Sequence, residues 1–243
     1  RVMFPIRDLR GRTIAFGGRV IDDEAKPKYL NSPETVVFRK GRELYGLFEA
    51  RRRERNLSRL IVVEGYMDVV ALAQHGINGC VATLGTATST DHIERMFSIV
   101  KTIVFCFDGD AAGRNAAWKA LLAAIPAMED GCMAKFLFLP DGEDPDTYVR
   151  QFGPKAFEAE FEKAVGFTEF FFLHLESTVD TNTTEGKAAL SKMAVPLIRG
   201  LPGGVFKQLV IKQLSNRTGL DSDKLIRTTG LDSEPERAPP RAR

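Results

Sequence analysis

Hydrophobic residues enter this chain in two rhythms. Four short runs, Leu60–Val63, Gly79–Thr83, Thr102–Phe107 and Ala134–Leu139, are apolar or β-prone throughout. Runs this short, without polar alternation, predict strands covered on both faces. Between them lie amphipathic stretches of helical period: Tyr66–Gln74, Ser89–Val100 with Ser89 or Thr90 as its cap, and Ala111–Ala124. Strands alternating with helices predict a parallel sheet joined by right-handed crossovers. Ahead of them, Val2–Ile6 and Thr13–Ile21 read as a hairpin turning at Asp8–Gly11. Gly17-Gly18 interrupts the second strand and marks a bulge or the close approach of another backbone. Residues 22–35 hold Pro27 and Pro33 and read as an ordered loop. Leu44–Asn56 is a helix with Leu44, Leu47 and Phe48 on one side and arginines on the other. From about residue 151 only helices follow: Lys155–Lys163, Phe167–Glu176, Thr184–Arg199, Val205–Asn216 and Ser222–Thr229, with polar or Gly/Pro breaks between them. Residues 232–243, rich in proline and charge, read as a flexible linker.

Composition narrows the class without choosing a function. The chain has 243 residues, 44% hydrophobic and 27% charged, ordinary for a globular protein with one large or two small cores. No run is long enough for a membrane span. Cys80, Cys106 and Cys132 are far apart in apolar surroundings. They read as reduced, buried thiols, and no zinc site is expected within the chain. The net charge of +2 hides an uneven distribution. Arginines crowd residues 39–55, while acids gather at 64–68, 108–110 and 141–146, a pairing suited to a phosphate-rich polymer plus metal ions. The arginine run Arg51–Arg55 is read as a solvated helix face. His75, His92 and His174 lack partners at ligand spacing, and Trp118 is assigned to packing.

The acids carry the chemistry. Glu64 follows the first parallel strand, Asp108 and Asp110 follow the third, and Asp141, Glu143, Asp144 and Asp146 follow the fourth. Ligands of open parallel sheets bind beyond the carboxyl ends of the strands. Asp110 alone could be the N-cap of the following helix. Acids at three strand ends would repel one another unless a cation lay between them, and Mg²⁺ suits carboxylates plus phosphate oxygens. Asp68, four residues after Glu64, lies one helical turn on and faces the same place. Lys28, Tyr29 and Asn31 offer a set able to grip phosphate or stack a base.

Glu64-Gly65-Tyr66-Met67-Asp68, Asp108-Gly109-Asp110 and the 141–146 loop resemble the TOPRIM domain of primases, topoisomerases and some nucleases. The segments 27–35, 40–47, 63–70, 107–113 and 139–147 resemble the bacterial DnaG-type primases more closely. The resemblance covers about residues 1–150 with specific motifs and the helical tail in layout. It implies a Rossmann-like α/β fold: the end of an N-terminal mixed subdomain (1–58), a TOPRIM domain (59–150), a C-terminal helical subdomain (151–231) and the linker (232–243). It implies synthesis of short RNA primers on single-stranded DNA from ribonucleoside triphosphates, with Mg²⁺ or Mn²⁺, in the bacterial cytoplasm at the replication fork. Glu64, Asp108 and Asp110 are the implied catalytic residues. Glu64, Asp68, Asp108, Asp110, Asp144 and Asp146 are the implied metal site, with Glu64 either ligand or general base. Arg19, Lys28, Tyr29, Asn31 and Lys40 match positions near template and triphosphate. The resemblance further implies guanosine alarmones as inhibitors. It also implies a replicative helicase as partner, held through a C-terminal domain that, like the N-terminal zinc-binding domain, is expected to lie outside this chain, which reads as a fragment. Two alternatives remain: another TOPRIM enzyme that cuts or relaxes nucleic acid, or a nucleotide-binding module without activity.

Overall fold

In the computed structural model, residues 1–21, 26–54 and 56–231 are described. The linker expected over 232–243, part of the 22–35 loop and Arg55 lie outside them. The centre is a five-stranded sheet in the order β5-β4-β6-β7-β8, built from β4 (Leu60–Val63), β5 (Cys80–Ala82), β6 (Thr102–Phe107), β7 (Met133–Phe138) and β8 (Val165–Gly166). The first four run parallel, as their unbroken apolar pattern requires, and β8 joins β7 antiparallel. The two-residue β8 carries too little pattern to be read in sequence.

Side chains alternate across the sheet. Leu60, Val62, Ile103, Phe105, Phe107, Ala134 and Phe136 enter one core, and Ile61, Val63, Val104, Cys106, Leu137 and Leu139 enter the other. Helix α1 (Leu47–Arg53), shorter than expected, and helices α3 (Thr90–Phe97) and α4 (Ala111–Ala124) cover the first face. Helices α2 (Tyr66–Gln74), α5 (Pro145–Phe152) and α6 (Pro154–Glu160) cover the second. This follows from strand order. The chain steps outward from β4 to β5 over one face, then back past β4 to β6 and on to β7 over the other, as right-handed crossovers demand. The direction of winding reverses between β4 and β6, so their carboxyl ends form the crevice where such sheets bind ligands.

Helix α5 begins inside the stretch read as an acidic loop. Pro145 sits at its first turn, where a missing N–H costs nothing, and Asp144 caps it. The boundary expected at 150/151 therefore falls within a helix that packs on the sheet. The remaining helices, α7 (Phe167–Glu176), α8 (Thr184–Arg199), α9 (Val205–Thr218) and α10 (Ser222–Thr229), share the first core with the sheet. Phe170 of α7 packs on Phe136 with ring centres 4.8 Å apart, and Trp118 of α4 stacks on His174 at 3.8 Å, the packing role expected of it.

At the amino end, β1 (Val2–Arg7), β2 (Thr13–Arg19) and β3 (Tyr29–Asn31) form a separate antiparallel sheet. The hairpin is as expected. Part of the loop proves to be β3, a strand too short to show a period. The irregularity lies at Ile6/Arg7, not at the paired glycines. Gly17 answers to a side chain, since a methyl group there would stand 2.5 Å from the Tyr66 ring. Ile6, Ala15, Phe38, Tyr66 and Leu84 make the core that fastens this sheet to the first. Among the described residues no helix is long and apolar enough to cross a membrane. The three cysteines are buried and free, as expected.

Candidate active site

Each acid is placed by the element it ends or begins. Glu64 follows β4 directly and remains solvent-accessible. Asp108 follows β6, the neighbouring strand, and is half-buried. The turn between β6 and α4 is tight, because Gly109 lies against the end of β7: a methyl group there would stand 2.2 Å from the Leu139 carbonyl oxygen. Asp110 N-caps α4, its Oδ1 accepting from the Gly113 N–H at 2.7 Å. Asp144 caps α5 in the same way through the Thr147 N–H at 2.7 Å. Asp68, on the first turn of α2, accepts from the Gly65 N–H at 2.9 Å. Asp146 is paired with Arg150 one turn on.

Six of the expected residues line one cavity of about 410 Å³: Tyr29, Asn31, Glu64, Asp68, Asp108 and Asp144. Gly65, Tyr66, Thr83 and Gly85 complete its wall, none of which the sequence singled out as a site residue. Tyr66 follows the Glu64-Gly65 pair directly and Thr83 stands at the end of β5, so position at a strand end was the available signal. Asn31 is held from two sides. Its Nδ2 donates to the Leu84 carbonyl at 2.8 Å, and the Tyr66 hydroxyl donates to its Oδ1. Arg19 faces Tyr29 across the β2–β3 pair, its guanidinium 5.9 Å from the ring centre. Asp110, Asp146, Arg19, Lys28 and Lys40 do not line the cavity. Lys28 is exposed beside Tyr29. Lys40 belongs to a loop held by buried His92, whose Nε2 donates to the Lys40 and Glu43 carbonyls at 2.8 and 3.1 Å.

Electrostatics follow from the crowding. Burial, then the Asp108 and Asp110 charges, raises the Glu64 pKa above its ordinary value. Burial, then Asp144 and Asp110, does the same for Asp108. Asp68 is pushed up to about 7 by burial and by Asp144, Asp108 and Asp146, against the stabilising Gly65 N–H. Among the described residues, Glu64 and Asp108 have neither a hydrogen bond nor an ion pair to offset this. As the side chains lie, no three acids, histidines or cysteines among the described residues are gathered into a ligand set for a metal. Asp68, Asp110 and Asp144 each commit one carboxylate oxygen to a backbone N–H and keep the other. An all-oxygen donor set with uncompensated charge fits a hard divalent cation and does not suit zinc.

Comparison with known proteins agrees with this layout. Models of the primase catalytic core N-terminal domain, the Toprim domain and the DnaB-helicase binding domain of primase match residues 1–51, 58–129 and 168–223. The third match falls on α7–α9 and the start of α10, within the chain, whereas helicase binding had been expected of a domain outside it. The chain is 57% identical over 226 residues to the DNA primase of Pseudomonas aeruginosa, covering 93% of itself and 34% of that protein. It is 54% identical over 226 residues to the DNA primase of Escherichia coli K12, covering 93% of itself and 39% of that protein. It thus spans about a third of the length of the curated relatives it matches. Among solved structures, a DNA primase domain from Pseudomonas aeruginosa superimposes with a TM-score of 0.91 at 55% identity, over 95% of this chain and 72% of that one. A DnaG catalytic domain bound to single-stranded DNA superimposes with a TM-score of 0.87 at 54% identity, over 92% and 71%. That family implies divalent-metal use, the same conclusion the carboxylates reach. With the acids at the reversal point of the sheet and this identity running through both sheets and the helices, the chain belongs to the bacterial DnaG-type primase family.

Proposed function

We propose that this chain carries the catalytic centre of a primase, which joins ribonucleotides into a short RNA primer on a single-stranded DNA template. One observation carries the reading: Glu64 and Asp108 lie at the carboxyl ends of adjacent strands, both pKa values raised by burial and by neighbouring carboxylates, with no ion pair to either among the described residues. The reaction is nucleotidyl transfer. The 3′ oxygen of the growing strand bonds to the α-phosphorus of a ribonucleoside triphosphate. The bond from that phosphorus to the β-bridging oxygen breaks, and pyrophosphate leaves with the electron pair. Mg²⁺ or Mn²⁺, when bound, neutralises the phosphates and acidifies the attacking hydroxyl.

Asp108, Asp110, Asp144 and Glu64 would hold the metal, with Asp68 and Asp146 supporting it. Asp110 and Asp144 are fixed for this by their caps, which orient one oxygen and leave the other available. Glu64 is accessible, and where it does not ligate the metal it takes the 3′-hydroxyl proton on a carboxylate oxygen. Asn31 and Tyr29 hold the triphosphate nucleotide at the opposite wall. Arg19, Lys28 and Lys40 contact phosphates of template or substrate without reading sequence. Helices α7–α9 are a contact surface for a replicative helicase, supported by the family match there. Guanosine alarmones would compete for the cavity that holds the triphosphate.

Asp108→Ala in the full-length protein tests the reading. Metal-dependent primer synthesis should fall at least about a hundredfold, with the melting temperature retained. Undiminished synthesis by a folded variant would overturn it. Metal-dependent cleavage of labelled single-stranded DNA, without primer synthesis, would favour a nuclease.

A further inference from the structure

A second cavity, of about 520 Å³, lies on the other side of Glu64. Glu64, Thr83 and Gly85 are common to both, so they form the partition between them. One wall is the loop after β5, with Thr86 and Thr88. The other is one face of α4, where Ala112, Asn115, Ala116 and Lys119 recur at helical spacing. Phe107, the last residue of β6, contributes to the lining. Asn115 and Lys119 are exposed, and neither makes a hydrogen bond or ion pair among the described residues.

We infer that this cavity seats the 3′-terminal nucleotide of the growing strand, with Lys119 on its phosphate. The inference rests on the reading of the chain as a primase. That reaction needs two nucleotides to meet at one reactive oxygen, and the structure offers two cavities meeting at Glu64. Charge decides which nucleotide goes where. A triphosphate carries about four negative charges. The cavity with Glu64, Asp68, Asp108 and Asp144 holds no basic side chain but has the carboxylates that draw divalent cations, so it suits the metal-bound triphosphate. The second cavity has a single cation, Lys119, beside neutral hydroxyl and amide groups. One ammonium matches one phosphodiester. Threonine hydroxyls and Asn115 can hydrogen-bond ribose oxygens, and the small Ala112 and Ala116 leave room for the backbone. A strand end seated there brings its 3′ oxygen to the partition, where Glu64 stands.

The test uses full-length protein and an oligoribonucleotide annealed to a DNA template. Binding is read by fluorescence anisotropy with a 3′-deoxy end that cannot be extended, and extension by steady-state kinetics. Lys119→Gln should weaken hybrid binding and raise its KM about tenfold. The KM for ribonucleoside triphosphate at saturating hybrid should stay unchanged, and Lys119→Arg should recover the affinity. Unchanged hybrid affinity in Lys119→Gln, or a rise confined to the triphosphate KM, would overturn the assignment. Retained synthesis in Asp108→Ala would instead overturn the primase reading, so the two failures are separable.

Discussion

His92 shows how one buried side chain holds a loop far from it in sequence. It is fully buried, its Nδ1 accepting from the Ser89 N–H at 3.2 Å while Nε2 donates to the loop that carries Lys40. Burial lowers its pKa, because a charged imidazole there would be desolvated and would meet the Ser89 N–H with a second donor. The sign follows. A base whose folded pKa is depressed contributes stability fully present above its unfolded pKa, about 6.5, and lost as pH falls toward the folded value. His92→Phe should therefore lose about 1–2 kcal/mol at pH 7.5, through two unpartnered carbonyls. It should also flatten the fall in melting temperature between pH 7.5 and 5.5. An undiminished pH slope in the variant would show that other groups set it. The sequence assigned His92 no chemistry. What it did not show is the link to Lys40, 52 positions away, since nothing local marks a buried contact between distant loops.

At the level of the element, helix caps fall on residues of the proposed site. Asp110 and Asp144 each begin a helix with Oδ1 accepting from a backbone N–H, and Asp144 also lines the cavity at the sheet's crevice. For Asp110 the cap is present, and it leaves the second carboxylate oxygen for the proposed metal. Asp144→Asn keeps a cap acceptor and removes the charge, so it should leave the melting temperature within about 1 °C while lowering primer synthesis. Asp144→Ala should lose the cap as well, about 1 kcal/mol and ~2–4 °C by thermal denaturation. Equal activity in Asp144→Asn and the parent would remove this residue from the metal site. Helix α9 illustrates the reverse. Its start has no local capping side chain, and Asp130, far away in the chain, accepts from the Val205 and Phe206 N–H groups at 2.9 and 2.7 Å.

Across the whole molecule, the sheet and the helical tail are one packed body, not beads on a string. Phe136 is fully buried between Phe105 of β6 and Phe170 of α7. Phe136→Ala should cost about 3–5 kcal/mol, and the loss should be felt on both sides of that contact. Trp118 sits at the same junction, stacked on His174. Its fluorescence and the far-ultraviolet circular dichroism should therefore change at one temperature in the parent and at one lower temperature in the variant. Two separated transitions in the parent would show that the helices fold apart from the sheet.

Read alone, the sequence determined the parallel strands, their helices and the acids at three strand ends, because each is a local pattern: unbroken apolar runs, helical spacing, a carboxylate where a strand stops. It missed β3, β8 and α5, too short or too masked by acidic residues to declare a period. Why residue 109 is glycine is visible only in the structure, where the Leu139 carbonyl is pressed against it. Only the tertiary structure decided which acids face one another. Glu64 and Asp108 are 44 residues apart in number, and they become neighbours because the chain, leaving β5, returns past β4 and lays β6 on its other side. The same long-range pairing sets a cavity on each side of Glu64, and no spacing along the chain encodes it.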